Sequence, residues 1–255
     1  MKDWALILGA SSGIGRECAI RLAKNGINIY GLYLRKRKND IDALITELSE
    51  FGVKVIYKKA NASNEDSRQE IIKELKTLGD IRIKMFIHSI AFGALKTMIG
   101  SQDTILNKKN IEMTLDTMCN NIIYWAQDLF NSTLIKKGSH IISMTSAGGH
   151  KNWDSYGAVS MAKASLESAC RQLSLELAQY DIAVNSIQAG VTDTAALKKI
   201  PGNEEMIKNA IKNNPHKRLT TPSDIADFIE MLVSYESSWM TGNVIRVDGG
   251  EDITG

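Results

Sequence analysis

Ser146, Tyr156 and Lys163 are the residues of this chain whose types and spacing most readily do chemistry. The last two fall inside SYGAVSMAKAS, residues 155–165, with six residues between them. A phenol beside an ammonium group is a general acid for an oxygen that gains negative charge. Reductases that protonate a carbonyl oxygen often use a tyrosine and a lysine one helical turn apart. Here the residue one turn after Tyr156 is Ser160, and the residue one turn before Lys163 is Val159. The stretch is therefore a broken site, an accidental pair, or a site set for a different substrate.

Such residues need a scaffold, and the chain supplies one in short apolar runs. Trp4–Leu8, Ile27–Tyr33, Val53–Lys58, Lys84–Ser89, His140–Met144, Ile182–Ile187 and Asn243–Val247 read as seven strands. The segments between them, such as GRECAIRLAKNG with Gly26 at its end, carry apolar residues at helical spacing. Strands alternating with helices argue for a doubly wound α/β fold, a parallel sheet with helices on both faces. No linker, repeat or low-complexity run divides the 255 residues, so one domain is expected. The longest insertion, about 192–222, is polar and lysine-rich and follows the sixth strand. Insertions at the carboxyl ends of strands border the ligand in such sheets, so this one is expected to be a substrate lid.

GASSGIG brings Gly9, Ser11, Ser12, Gly13, Ile14 and Gly15 between the first strand and a helix. The tight turn needs glycine, and a side chain would block a diphosphate approaching the free N–H groups of the helix. The end of the second strand then discriminates between cofactors. An acid there would bind the adenosine 2′-hydroxyl, whereas this chain has Arg35, Lys36 and Arg37. Cations suit a 2′-phosphate, so NADPH is expected.

Composition removes other classes. Net charge is +2, which makes no field for nucleic acid. Cys18, Cys119 and Cys170 are scattered and odd in number, as reduced thiols of a cytoplasmic protein would be. Four histidines show no ligand spacing, so no metal is expected, and no stretch is apolar enough to span a membrane. The amino terminus runs straight into the first strand, without the longer apolar run of a signal peptide.

GxxxGxG at Gly9–Gly15, the strand–helix alternation, the Tyr156/Lys163 pair and VDGG (Val247–Gly250) together resemble the short-chain dehydrogenase/reductase family over essentially the whole chain. The resemblance implies a Rossmann fold and a homotetramer. In most of that family a serine ends the fifth strand, a tyrosine follows thirteen positions later and a lysine four after that. Ser146 plus 17 is Lys163, so the outer span is intact and the tyrosine slot holds Val159. Tyr156 with six residues before Lys163 is the pattern of bacterial enoyl-[acyl-carrier-protein] reductases. GVKVIYKKANAS, AGVTDTAALKKIPGNEE and NNPHKRLTTPSDIAD look like the NADPH-using type called FabL, while HSIAFG looks like the NADH-using type.

By that resemblance Tyr156 is the proton or hydrogen-bond donor and Lys163 the nicotinamide-ribose ligand. Asn61 and Ala62 flank adenine, Ser89, Ile90 and Ala91 line the ribose, and Gly190, Val191, Thr192 and Thr194 hold the carboxamide and diphosphate. The implied reaction is reduction of a trans-2-enoyl thioester on acyl carrier protein. The alternatives are a 3-ketoacyl or other carbonyl reductase and a silent NADPH-binding regulator. Lys198, Lys199, Lys208, Lys212, Lys217 and Arg218 crowd the insertion, where they either steer an acidic carrier protein or form a solvated face. Ser146 binds substrate or only caps the strand end, and His88 reads as structural. Met113–Phe130 reads as a core and interface helix. Departures are the missing second tyrosine near Ser146, Ala189 where proline is usual, and Met118 near the slot of a relay asparagine. Neither Asn120 nor Asn121 can be assigned to that relay from sequence.

Overall fold

The computed structural model describes residues 1–101 and 104–254. Seven strands, β1 (Lys2–Leu8), β2 (Asn28–Tyr33), β3 (Val55–Lys59), β4 (Ile81–His88), β5 (His140–Ser146), β6 (Ala183–Ala189) and β7 (Val244–Val247), form one parallel sheet in the order β3-β2-β1-β4-β5-β6-β7. Each coincides with one of the seven apolar runs. Parallel central strands are covered on both faces and therefore read as unbroken apolar runs rather than alternations. β4 is the extreme case, with all eight residues buried.

The helices α1 (Gly13–Lys24), α2 (Lys38–Ser49) and α8 (Pro222–Ser234) stand around one core, with Cys18, Leu22, Leu44, Leu48, Ile225 and Ile229 against Ile7 and Ile87. The opposite core takes α3 (Glu65–Thr77), α5 (Asn121–Asn131) and α6 (Gly157–Leu177), with Ile71, Leu75, Trp125, Leu166 and Leu173 against Leu6 and Phe86. Local sequence starts these helices: the Asn64 side chain accepts the Ser67 N–H of α3, and Thr221 with Asp224 makes a reciprocal capping box at α8, with Pro222 in the first turn. Residues 192–222 carry one turn at Leu197–Lys199 and α7 (Asn203–Asn213).

The expected Met113–Phe130 helix differs from observation in one respect. α4 (Lys108–Leu115) passes into α5 through a π turn, Asp116–Asn120. The extra residue of a π turn breaks the helical stripe, which periodicity cannot anticipate, and such turns concentrate at functional sites. It carries buried Met118 and Cys119 toward α6. Among the described residues no helix is long and apolar enough to cross a membrane.

Candidate active site

The strand order reverses between β1 and β4, and the crevice beyond the carboxyl ends at such a point is where open α/β sheets bind ligands. Gly9 opens the turn after β1 with φ +85°, and a Cβ there would stand 2.3 Å from the Ser89 carbonyl oxygen after β4. A Cβ on Gly15 would stand 2.3 Å from the Gly9 carbonyl oxygen. Both glycines are required by close backbone approach. Ser12 caps α1 without a side-chain hydrogen bond, and the first turn holds no acid. The free N–H groups of α1 therefore face the crevice mouth as an anion site, and the donor set fits the diphosphate of a nicotinamide cofactor.

The other cofactor candidates follow the ends of neighbouring strands. Asn61 and Ala62 come after β3, with Ala62 O accepting the Trp125 indole N–H at 2.9 Å. Ile90 lies 3.8 Å from the Gly9 Cβ position, next to Ser89, and exposed Ala91 follows. The Thr194 methyl is 3.4 Å from the Gly13 Cβ position, so the segment after β6 reaches the glycine turn. Val191 is already bonded through both backbone groups, its N–H to the Glu251 carboxylate at 3.1 Å and its C=O to the Thr220 N–H at 3.1 Å. Thr192 donates to Gly190 O at 2.8 Å. The three cations after β2 separate in role. Arg35 lies 3.9 Å above the Phe92 ring, Lys36 is exposed, and Arg37 makes a fork of two 3.2 Å bonds on Asp40 at the start of α2.

Ser146, Tyr156 and Lys163 come together at the end of β5. Ser155 is left-handed (φ 60), a costly conformation for a non-glycine residue, and it turns the chain into Tyr156, the N-cap of α6. The phenol ring covers Gly148, where a Cβ would stand 2.7 Å from Tyr156 Cε1 and 3.1 Å from Ser146 Oγ. Trp153 meets the ring edge-on, with centroids 5.7 Å apart. Burial raises the Tyr156 pKa above its ordinary value, and the neighbouring Ser146 hydroxyl opposes the rise. Ser160 takes no chemical part. Its hydroxyl donates to Gly148 O and Lys151 O and so pins the β5–α6 loop.

The vacant tyrosine slot is closed. Val159 is 4% exposed and packs with Met118 and Ala162, and a Cβ on Gly93 would meet its methyl at 2.8 Å. Lys163 is buried one turn on, with Nζ donating to Met144 O at 2.5 Å. Burial is the largest influence on Lys163, and it pulls the pKa down to about 8 against an opposing Glu167. Glu167 itself accepts the Thr145 hydroxyl at 2.6 Å. His88 Nε2 donates to Asn121 Oδ1 at 2.5 Å, and burial, then the charge of Lys163, push its pKa down to about 4. Asn121 also donates to Thr117 O and Ser63 Oγ. Of the two asparagines that sequence left unassigned, Asn121 is thus committed to His88, Thr117 and Ser63. Sequence reasoning placed Met118 near the slot of a relay asparagine but missed Trp153 and Cys119 at this site, and also Glu251, which holds Val191; no pattern in the sequence marks these three.

A family model described as enoyl-(acyl carrier protein) reductase matches residues 9–251. The 1-cyclohexenylcarbonyl-CoA reductase of Streptomyces collinus is 26% identical over 251 residues, covering 98% of this chain and 86% of that protein. A 3-oxoacyl-[acyl-carrier-protein] reductase, FabG, of Staphylococcus epidermidis is 26% identical over 260 residues, covering 98% of this chain and 99% of that one. The solved enoyl-[acyl-carrier-protein] reductase (NADH) of Aquifex aeolicus superposes with a TM-score of 0.84 at 24% identity, covering 100% of this chain and 97% of its own, a likeness of fold. The chain belongs to the enoyl-(acyl carrier protein) reductase family, among the short-chain dehydrogenases/reductases, and is an oxidoreductase.

Proposed function

We propose that the protein reduces the trans-2 double bond of an enoyl thioester on acyl carrier protein, the last step of the fatty-acid elongation cycle, with NADPH as reductant. The observation that carries this reading is the pairing of a relocated phenol with a closed slot: Tyr156 sits before α6 over Gly148, while Val159 is packed under Gly93 and Met118. NADPH, when bound, supplies hydride to the β-carbon. Negative charge then gathers on the thioester oxygen, two carbons away. A donor for that oxygen has to stand farther from the nicotinamide than a donor serving a ketone. Tyr156, set back one turn, meets that need, with the Ser146 hydroxyl beside it. Lys163 holds the ribose, and at neutral pH it is mostly protonated, so its charge favours an anionic oxygen nearby.

Arg35 and Lys36 serve the 2′-phosphate, and Arg37 less so because Asp40 engages it. Arg218 is held by Asp224 and Lys198 by Asp193. The exposed Lys199, Lys208 and Lys212 remain the better candidates for steering an acidic carrier protein. A cytoplasmic homotetramer with 192–222 as a substrate lid in a single domain accords with this reading. A second reading, reduction of a 3-ketoacyl thioester, is favoured by the adjacent Ser146 and Tyr156 hydroxyls, which also suit a ketone oxygen, and by the FabG relative. The test follows loss of reduced nicotinamide with crotonyl-CoA and then acetoacetyl-CoA, with NADPH and NADH in turn. Enoyl turnover with NADPH is expected. Keto turnover alone would replace the first reading with the second. Tight NADPH binding without turnover of either would make the protein a regulator.

A further inference from the structure

The chain leaves β7 through Gly249 and Gly250, both left-handed (φ 64 and 84), and doubles back in a single turn, Glu251–Ile253. Asp248 fixes the reversal, accepting the Gly250 N–H at 2.9 Å and the Asp252 N–H at 3.1 Å. Two acids on the turn then reach the segments that follow β6 and β5, two adjacent lips at the carboxyl ends of the strands. Glu251 accepts the Val191 N–H after β6. Asp252 reaches the β5–α6 loop, where its carboxylate meets Lys151 Nζ at 2.8 Å and His150 Nε2 at 3.0 Å, while Arg246 Nε holds it from β7 at 3.1 Å. The Asp252 side chain is 3% exposed although His150 and Lys151 are exposed. Burial works against this carboxylate, yet hydrogen bonds from Lys151 and His150 hold its pKa below the ordinary carboxylate range.

The loop on which Asp252 pulls is the floor of the candidate site. The His150 and Lys151 N–H groups both bond Ala147 O, at 3.1 and 2.7 Å, and Gly148 lies directly under the Tyr156 ring. Among the described residues, three side chains from outside the loop reach it by hydrogen bond or ion pair: Ser146 at the end of β5, which accepts the Gly148 N–H at 3.3 Å, Ser160, through Gly148 O and Lys151 O, and Asp252. Ser160 belongs to α6, the helix that Tyr156 caps, so it ties the loop to the element next to the donor. Ser146 ties it to its own strand, and Asp252 ties it to the turn after β7.

We propose that Asp252 is a positioning residue, which acts through Lys151 and His150 to hold Ser146 and Tyr156 in register with the β6 lip that Glu251 grips. This rests on Tyr156 and Ser146 meeting the substrate, and it holds for either an enoyl or a ketoacyl thioester. A displacement of about 1 Å in a reacting group costs up to about a hundredfold in rate, so loosening one lip against the other shows first in turnover.

The test uses the full chain with Asp252→Asn, Lys151→Met and Lys151→Arg. Two quantities are read: turnover at saturating NADPH and thioester against NADPH affinity, and amide hydrogen exchange in peptides covering 146–156 and the strands. Asp252→Asn is expected to lower kcat about tenfold with NADPH affinity nearly unchanged, and to speed exchange in 146–156 while the strands stay protected. Lys151→Met, a change at an exposed side chain, is expected to go the same way more weakly, and Lys151→Arg to match the unmodified protein. Unchanged exchange in 146–156 would overturn the proposal. So would kcat, NADPH affinity and strand protection falling together, which is the mark of lost fold stability. If exchange rises as expected but Tyr156→Phe turns over normally, the tether stands and the role given to Tyr156 falls.

Discussion

At the amino ends of the strands, β4 carries Arg82 and Lys84 into the sheet, and carboxylates meet both. Arg82 makes two 2.8 Å bonds to Asp3, and Lys84 lies 3.3 Å from Glu236. Asp3 raises the Arg82 pKa, as a partner that favours the charged form must. At the carboxyl ends, Lys163 is buried as deeply, but its hydrogen bond goes to the Met144 carbonyl and its pKa falls to about 8. Beside it, neutral His88 leaves Nδ1 without a partner among the described residues. One sheet thus carries a buried cation cluster satisfied by charge and another left electrostatically open. Perturbed, uncompensated groups concentrate where chemistry is done. On the proposed reading the first cluster serves stability and the second serves function.

The largest effect that tests the contrast is at the amino end. Arg82→Met removes the two bonds to half-buried Asp3 and leaves it only Lys84 at 4.0 Å, and is expected to cost about 3 kcal/mol in urea unfolding. A cost below about 1 kcal/mol would make that cluster no different from a surface pair. The next effect concerns acid. His88 has a folded pKa of about 4, below the ordinary value of about 6.5. The unfolded chain therefore takes up the proton first, and stability falls as pH drops from about 6.5 toward about 4, by up to about 3 kcal/mol. His88→Gln should flatten stability over that window, and an unchanged slope would remove His88 from the open cluster.

Lys163 sharpens the contrast further because its sign is reversed relative to Arg82. Its depressed pKa means that the unfolded state holds the proton more tightly between about 8 and about 10.4, so stability rises with pH across that window. Lys163→Met should accordingly stabilise the fold at neutral pH by about 2 kcal/mol while weakening NADPH binding. Destabilisation by Lys163→Met would show that the two ends of the sheet are built alike. The smallest effect lies at the cofactor mouth. Arg35→Ala is expected to raise the NADPH KM about tenfold and Arg37→Ala about twofold, with NADH unaffected, because Asp40 already holds Arg37. Equal effects would mean that Asp40 releases Arg37 to the phosphate.

The contrast also marks what the sequence made legible. Seven strands, the glycine turn and the Ser146–Lys163 span were all readable, because each depends on local periodicity or on spacing along one element. The packing of Val159 was not, since Gly93 and Met118 reach it from distant segments. The π turn at Asp116–Asn120 leaves no sequence pattern, and it decides where Met118 and Cys119 point. Asn121 and Arg37 were found as residue types but not as partners, because His88 and Asp40 claim them only once the chain is folded. Asp252 sits in a short polar turn, and Lys151, His150 and Arg246 from two other segments give it its meaning.

The claim on which the functional reading turns is that the Tyr156 hydroxyl, and not a group in the closed slot at Val159, meets the oxygen that gains charge. The direct measurement is crotonyl-CoA turnover by Tyr156→Phe at saturating NADPH, beside the unmodified protein. Loss of one oxyanion donor predicts a fall of about 10²–10³ with NADPH affinity and thermal stability retained. Turnover within about threefold of the unmodified protein, a change smaller than about 1 kcal/mol, would contradict it.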